Sequence, residues 1–268
     1  MRNLADINFS SKEREKRFLT YYSYSLTSSG VERLNQDNLI FALYSFFEEH
    51  SLTKAKQYLY NCGLLSAFDI IEFNDSQFVY NLRSIGYAML SDNIPFLKER
   101  FAHLTFTDFY LDDNTRERID RTMEDHVLAG DDGCVFVHTV QQFILGNEEL
   151  IQRNIEIMER VWFDGKNQNN TMQYDVNFFK ALLKKDKEKC EVILQEMVSP
   201  KIHQKRNDDP LLKKYISMPA LGYAKLAWIL GMEVEIKSKL IPKALLPVQP
   251  LEKYEVPYDF LESIAFYD

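Results

Sequence analysis

The chain has 268 residues, with 32 Lys and Arg against 40 Asp and Glu, so its net charge is −8. A direct nucleic-acid binder usually has a basic footprint, and the sequence has no dominant one, so we expect no direct nucleic-acid partner. Hydrophobic residues make up 46%, while Gly and Pro number only 9 and 8. This composition is that of a globular protein and favours helices over a turn-rich β architecture.

The sequence predicts a cytoplasmic protein that does not enter a membrane. A charged run, Lys12 to Arg17, stands where a secretory signal would need apolar residues. The longest apolar run, Leu39 to Phe47, is too short to span a bilayer. The cysteines are odd in number and far apart, which indicates reduced, buried thiols. They are Cys62, Cys134 and Cys190.

Apolar residues recur at the three- and four-residue spacing of amphipathic helices along most of the chain. Examples are Leu39/Leu43/Phe46, Ile151/Ile155/Met158 and Phe179/Leu182/Leu183. Two-residue alternation is nearly absent, and its clearest case is Val234 and Ile236, which is long enough only for a short strand or an extended tail. Loops are predicted at 105–114, 129–133 and 164–172.

Three short polar turns each join two of these amphipathic stretches, at residues 89–93, 144–148 and 183–187. An Asp or Asn in each turn can cap the following helix. Such hairpins must stack to bury their apolar faces. The spacing between the turns is unequal, so the predicted fold is all-α: an irregular, α-solenoid-like stack of antiparallel helical hairpins with a short extended C-terminal tail.

We expect residues 1–268 to form one domain. The most loop-like stretch, 164–170, could divide it into an N-terminal lobe of about residues 1–165 and a C-terminal lobe of residues 172–268.

The sequence lacks the common motifs of catalysis and metal binding. Phosphate-binding glycine motifs, Gly-x-Ser-x-Gly elbows, Cys-x-x-Cys pairs and His-Glu-x-x-His sequences are all absent. His126, beside Glu124 and Asp125, is the best single candidate for acid–base chemistry, although a helical histidine at the edge of the core is the more common case. We therefore predict no catalytic residues, no metal ligands and no cofactor.

Paired carboxylates are the best candidates for contact with a partner. Asp112-Asp113 and Asp131-Asp132 lie in predicted loops. An acidic surface suits a basic protein by steering the encounter and by complementarity. The pairs also have a structural interpretation, since loop carboxylates often cap helices or are solvated.

The C-terminal third carries a recognisable order of elements. A helical hairpin, 174–188, is followed by the small-residue helix Ala220-Leu221-Gly222-Tyr223-Ala224, then by Gly231-Met232-Glu233-Val234-Glu235 and Pro242-Lys243-Ala244-Leu245-Leu246. Over residues 174–262 this order resembles the bacterial immunity proteins of polymorphic toxin systems, specifically immunity protein family 49. The resemblance implies an all-α protein that binds and neutralises a cognate toxin, and it brings no catalytic residues.

The leading hypothesis is therefore a non-enzymatic immunity protein whose acidic surface occludes the active or substrate-binding face of a basic toxin. One alternative is a helical-repeat adaptor or regulator that binds a peptide or protein in a groove. Another is an enzyme whose site gathers distant carboxylates with His126 or His138.

Overall fold

A computed structural model describes residues 3–21, 26–74, 83–113, 115–162 and 171–264. Contacts within the chain divide it into two compact units. The first unit combines Met1–Asp75, Tyr87–Leu104 and Gln249–Asp268, and the second combines Ser76–Gly86 with Thr105–Val248. The expected division near residue 165 falls outside the described residues, and the single-domain organisation stays a prediction.

Helices make up most of the described chain, which confirms the predicted all-α class. The α-helices are α1 Leu4–Tyr21, α2 Ser28–Phe47, α3 Leu52–Phe73, α4 Arg83–Leu90, α5 Ile94–Glu99, α6 Met123–Ala129, α7 Asp132–Leu145, α8 Glu148–Trp162, α9 Gln173–Leu183, α10 Lys187–Met197, α11 Pro200–Arg206, α12 Leu212–Tyr215 and α13 Met218–Ile229. Short 3-10 turns occupy Phe101–His103, Lys243–Leu245 and Asp259–Leu261. The strands are β1 Thr107–Leu111 and β2 Arg118–Thr122. No helix in the described ranges combines the length and the apolarity needed to cross a bilayer.

The first unit is built on the pair α2 and α3, with α1 packed on α2. Its C-terminal segment is held by buried polar groups. Lys56 Nζ lies 2.7 Å from Asp92 Oδ2 and donates to the Gln249 carbonyl at 2.6 Å. The Tyr258 hydroxyl accepts from Asn38 Nδ2 at 2.7 Å. Residues after 248 therefore complete a unit whose helices lie at the start of the chain.

The second unit contains the predicted helical hairpins. α7 packs on α8 and α9 packs on α10, and each pair is joined by one of the predicted turns. In the α7–α8 turn Gly146 has a φ of 74°, a left-handed conformation that ends α7 without a Cβ clash. In the α9–α10 turn the Asp186 side chain accepts from Lys189 N at 3.0 Å and caps α10. The turn at residues 89–93, in the other unit, likewise uses Asn93 to cap α5. All three predicted turns are confirmed.

The helix α13 lies at the centre of this unit and contacts α7 and α10. Every residue from Ala220 to Ala227 is buried, and four of these eight residues are Ala or Gly, which allows neighbouring elements to approach the helix closely. At its end Met232 N donates to the Ala227 carbonyl and Gly231 N to that of Trp228, with Gly231 at a φ of 81°. This is a Schellman ending. The extended tail follows, with Val234 buried.

Two buried charged side chains hold neighbouring elements against α13. Lys225 is fully buried, and its ammonium donates to three tail carbonyls at 3.0–3.1 Å, those of Leu245, Leu246 and Pro247. The second buried charge is the carboxylate of Asp175 on α9. It accepts from Arg206 Nη2 at 2.7 Å and from the hydroxyl of Tyr223. Both sets of contacts join elements far apart in sequence.

The predicted loop at residues 105–114 is wrong, because β1 occupies Thr107–Leu111 and pairs with β2 in an antiparallel two-stranded sheet. The prediction missed it because this hairpin buries neither face, so no apolar alternation marks it in the sequence. Pairing with β2 specifies the strand, and this pairing cannot be read from the sequence of β1 alone.

Candidate functional site

The candidate site is the β hairpin, which we define as residues 107–122; residue 114 lies outside the described residues. The register pairs Thr107 with Thr122 and Leu111 with Arg118. At the tip, the Asp112 carboxylate accepts from Thr115 N at 2.8 Å, and the Asp112 backbone N–H donates to the Glu117 carbonyl at 2.9 Å. Asp112 therefore stabilises the turn, as Asp side chains commonly do.

Large apolar side chains of the hairpin are exposed to solvent. Their exposed fractions are Phe109 55%, Leu111 51%, Tyr110 46% and Ile119 37%. The guanidinium of Arg118 lies 4.2 Å from the centre of the Phe109 ring, a cation–π arrangement. None of the described residues of the hairpin is buried. Exposed apolar clusters of this kind commonly serve as binding surfaces.

The base of the hairpin is fixed by His126, which is only 7% exposed. Its Nε2 lies 2.9 Å from Asp108 Oδ2 on β1, and its Nδ1 lies 2.5 Å from Asp131 Oδ2 before α7. Arg121, the cross-strand partner of Asp108, lies 3.3 Å from the same Asp131 oxygen. Phe106 covers the imidazole with its ring centre 5.5 Å away. We call Asp108, Arg121, His126 and Asp131 the base cluster.

The base cluster is suited to holding the hairpin in place. Both ring nitrogens of His126 contact carboxylates of the chain, so the ring joins β1 to the start of α7 instead of facing solvent. The link is reinforced by the capping box that begins α6, in which Asp125 accepts from Thr122 N at 2.7 Å. This backbone N–H and the Thr122 hydroxyl lower the pKa of Asp125, which keeps the cap ionised.

The four predicted contact residues lie in two places, at the tip of the hairpin and at the start of α7. Asp112 and Asp113 lie at the hairpin tip, with Asp113 exposed. Asp131 belongs to the base cluster, where its side chain is about half exposed. Asp132 is the first residue of α7. Their role in partner binding stays a prediction.

The sequence-based prediction missed the exposed aromatic residues of the hairpin and Arg121. The signal in the sequence that marks this region is its local density of negative charge. Residues 105–132 contain nine Asp and Glu against three Arg, a net of −6 within a chain of net −8. One of these carboxylates, Glu124, is paired with Arg153 at 2.5 Å. Most of the net charge of the chain is thus concentrated in about a tenth of its length, around the hairpin.

Other polar sites offer less. The ring nitrogens of His138 lie 2.9 Å from Asn154 Nδ2 and 3.0 Å from Gln142 Nε2, and burial lowers the pKa of the imidazole. A surface hollow of about 510 Å³ lies between α10 and the tail, and no histidine lines it. Within the described ranges, no group of three or more His, Cys, Asp or Glu side chains is placed to hold a metal ion.

Comparison with curated proteins and with solved structures finds no significant match. A family model described as Immunity protein 49 matches residues 134–245, which is less than half of the chain. The β hairpin and the base cluster precede the matched residues. Compared with the resemblance over 174–262, the match begins 40 residues earlier, at α7, and ends at Leu245, one of the residues whose carbonyls hold Lys225. The resemblance to immunity protein family 49 is thereby confirmed, carried by residues 134–245 of this chain.

Proposed function

We infer that this protein is a cytoplasmic, non-enzymatic immunity protein that binds a cognate bacterial toxin and neutralises it by covering its active or substrate-binding surface. The observation that carries the proposal is the Immunity protein 49 match over residues 134–245. The net charge of −8 supports a toxin with a basic face, because opposite charges speed encounter and favour one orientation.

Occlusion and catalysis predict different titration curves. A protein that covers its target inhibits in proportion to its own amount, whereas an enzyme that modifies the toxin inactivates many toxin molecules per copy. We expect toxin activity to fall linearly and to reach zero at a fixed stoichiometric ratio. Complete inactivation by a small fraction of that ratio would reject the non-enzymatic proposal.

The toxin to test is the C-terminal domain of the secreted protein encoded immediately upstream, if the neighbouring gene has that form. Cells that express this domain should survive when they also express the chain, and the two proteins should co-purify. An immunity protein against an unrelated toxin is the control and should give neither result. If the chain neither rescues growth nor binds the domain, the proposed function fails for that toxin.

A further inference from the structure

We propose that the β hairpin is the element that contacts the toxin, and that it docks on a basic protein face with an apolar centre. This inference rests on the proposed function and adds the contact surface to it. Apolar exposure, charge and preorganisation each contribute to the argument.

Within the part of the chain that the structure describes, the apolar side chains of the hairpin are only partly covered. A two-stranded hairpin with no third strand or packed helix is marginally stable in water. Here both faces carry exposed apolar residues, because the register places Tyr110 opposite Ile119 on one face and Phe109 with Leu111 on the other. A partner that encloses the hairpin would remove both faces from water, which is favourable in proportion to the apolar area buried.

The residue types are those that dominate binding energies. Tyrosine and arginine are enriched among the few interface residues that contribute most to affinity. Tyr110 and Phe109 each lie near a guanidinium, that of Arg121 at 5.9 Å and that of Arg118 at 4.2 Å. Aromatic rings supply large contact areas while ordering few rotatable bonds.

The charge around the hairpin identifies the kind of partner. Residues 105–132 have a net charge of −6, so a second copy of this chain would bring like charge against like charge. A basic face is complementary to it. The exposed Asp113 at the tip would be among the first charges to meet such a face, while Asp112 is already engaged in the turn.

The base cluster makes the hairpin ready to bind. Ordering a flexible segment on association lowers affinity, and a segment held in its bound form avoids that cost. Asp108 fixes β1 to His126, and Arg121 fixes β2 to Asp131. His126 is therefore a positioning residue, which acts on the toxin through the hairpin.

The test compares matched exposed residues in binding to the upstream-encoded toxin domain, purified as an inactive variant. Phe109→Ser and Tyr110→Ser should each weaken binding by about 30-fold or more, the effect of a strong interface residue. Phe9→Ser, which alters an exposed phenylalanine on α1, should change it less than about twofold, the scale of a residue outside the interface. All three positions are exposed, so the unfolding midpoints should stay close to that of the parent chain.

Two further variants test charge and positioning. Asp113→Lys should slow association at low salt by about tenfold, and Glu252→Lys, an equal charge change on an exposed residue of the first unit, should not. The variant His126→Ala should show two effects at once: faster hydrogen exchange at the backbone amides of residues 107–122 and weaker binding to the toxin domain. Weaker binding with unchanged exchange there would contradict the positioning role.

Each outcome separates the hairpin proposal from the proposed function. If the parent chain binds and protects while Phe109→Ser and Tyr110→Ser bind equally well, the hairpin proposal is overturned and the immunity function stands. An equal loss with Phe9→Ser would also overturn it. If the parent chain is a dimer that Phe109→Ser makes monomeric, the hairpin binds a second copy and the proposal is wrong. Failure of the parent chain to bind rejects the proposed function itself.

Discussion

Replacing Arg206 by Met should unfold the second unit at markedly lower denaturant concentration. Arg206 Nη2 donates to Asp175 Oδ1 at 2.7 Å and Nη1 donates to the Thr171 carbonyl at 3.0 Å. The Asp175 side chain is fully buried and that of Arg206 is 12% exposed. Burial lowers the pKa of Arg206, but the Asp175 carboxylate and the Tyr223 hydroxyl together outweigh burial and raise the pKa above its usual value. Met would fill the volume of the stem but leave the carboxylate without its counter-ion.

The expected loss follows from what remains around Asp175. Removing one partner of a buried ion pair costs about 3–5 kcal/mol. The hydroxyl of Tyr223 would still donate to the same carboxylate, so we expect the lower end, about 3 kcal/mol. Tyr223→Phe keeps the ion pair and removes one hydrogen bond to a charged group, for about 1.5–3 kcal/mol. Adding Asp175→Asn to Arg206→Met should restore about 1 kcal/mol, since a neutral amide needs no counter-ion.

Urea unfolding followed by circular dichroism measures these free energies, provided that the slope with denaturant stays constant. The matched control is Arg118→Met, which breaks an ion pair with Asp120 in which both side chains are more than 60% exposed. Such a surface pair contributes about 0–1 kcal/mol. A loss for Arg206→Met no larger than that of the control would refute the reasoning, as would a double variant less stable than Arg206→Met alone.

Further outcomes are expected elsewhere in the fold. Lys225→Met removes the three hydrogen bonds that the buried ammonium donates to the tail, so it should lower the free energy of unfolding by about 2 kcal/mol or more. The tail should also be cleaved faster by proteases, and unchanged proteolysis would contradict this. Burial raises the pKa of Glu15 above 4.5 despite its bond from Tyr258, so its contribution to stability is present below pH 4.5 and is lost as pH rises through the raised value. Glu15→Gln should therefore gain stability relative to the parent chain as pH rises, and a difference that is flat with pH would argue against it. Burial raises the pKa of Cys190 to about 12, so Ellman's reagent at pH 8 should label it only after unfolding, and rapid labelling of the folded chain would show the thiol to be accessible.

The helical part of the fold could be predicted because local signals and packing agree. The stripe at Ile151, Ile155 and Met158 is buried in α8, and the cap at Asp186 begins α10. Gly231 ends α13 in a left-handed conformation, which glycine adopts without a steric cost. In each case a residue's own chemistry is sufficient to specify its local conformation.

The long-range contacts could not be predicted, since they depend on which distant groups meet. Nothing local to Lys225 identifies the carbonyls near residue 246 as its partners, and a lysine in a helix is normally expected at the surface. The same holds for the candidate site. The sequence singles out His126 beside its neighbours Glu124 and Asp125, whereas the carboxylates that contact it are those of Asp108 and Asp131. The sequence predicts a loop where the strand that carries Asp108 lies, so it cannot reveal this pairing.

The order in which the chain is made bears on its first unit. The side chains of Lys56 and Asn38 bond to Gln249 and Tyr258, residues about 200 positions later in the sequence. During translation α2 and α3 emerge before residues 249–258, so these contacts cannot form until that later segment has left the ribosome. The intervening residues, including the matched stretch 134–245, can fold first as a local unit. The helices α2 and α3 then keep part of their packing surface uncovered until residues 249–258 pack against them.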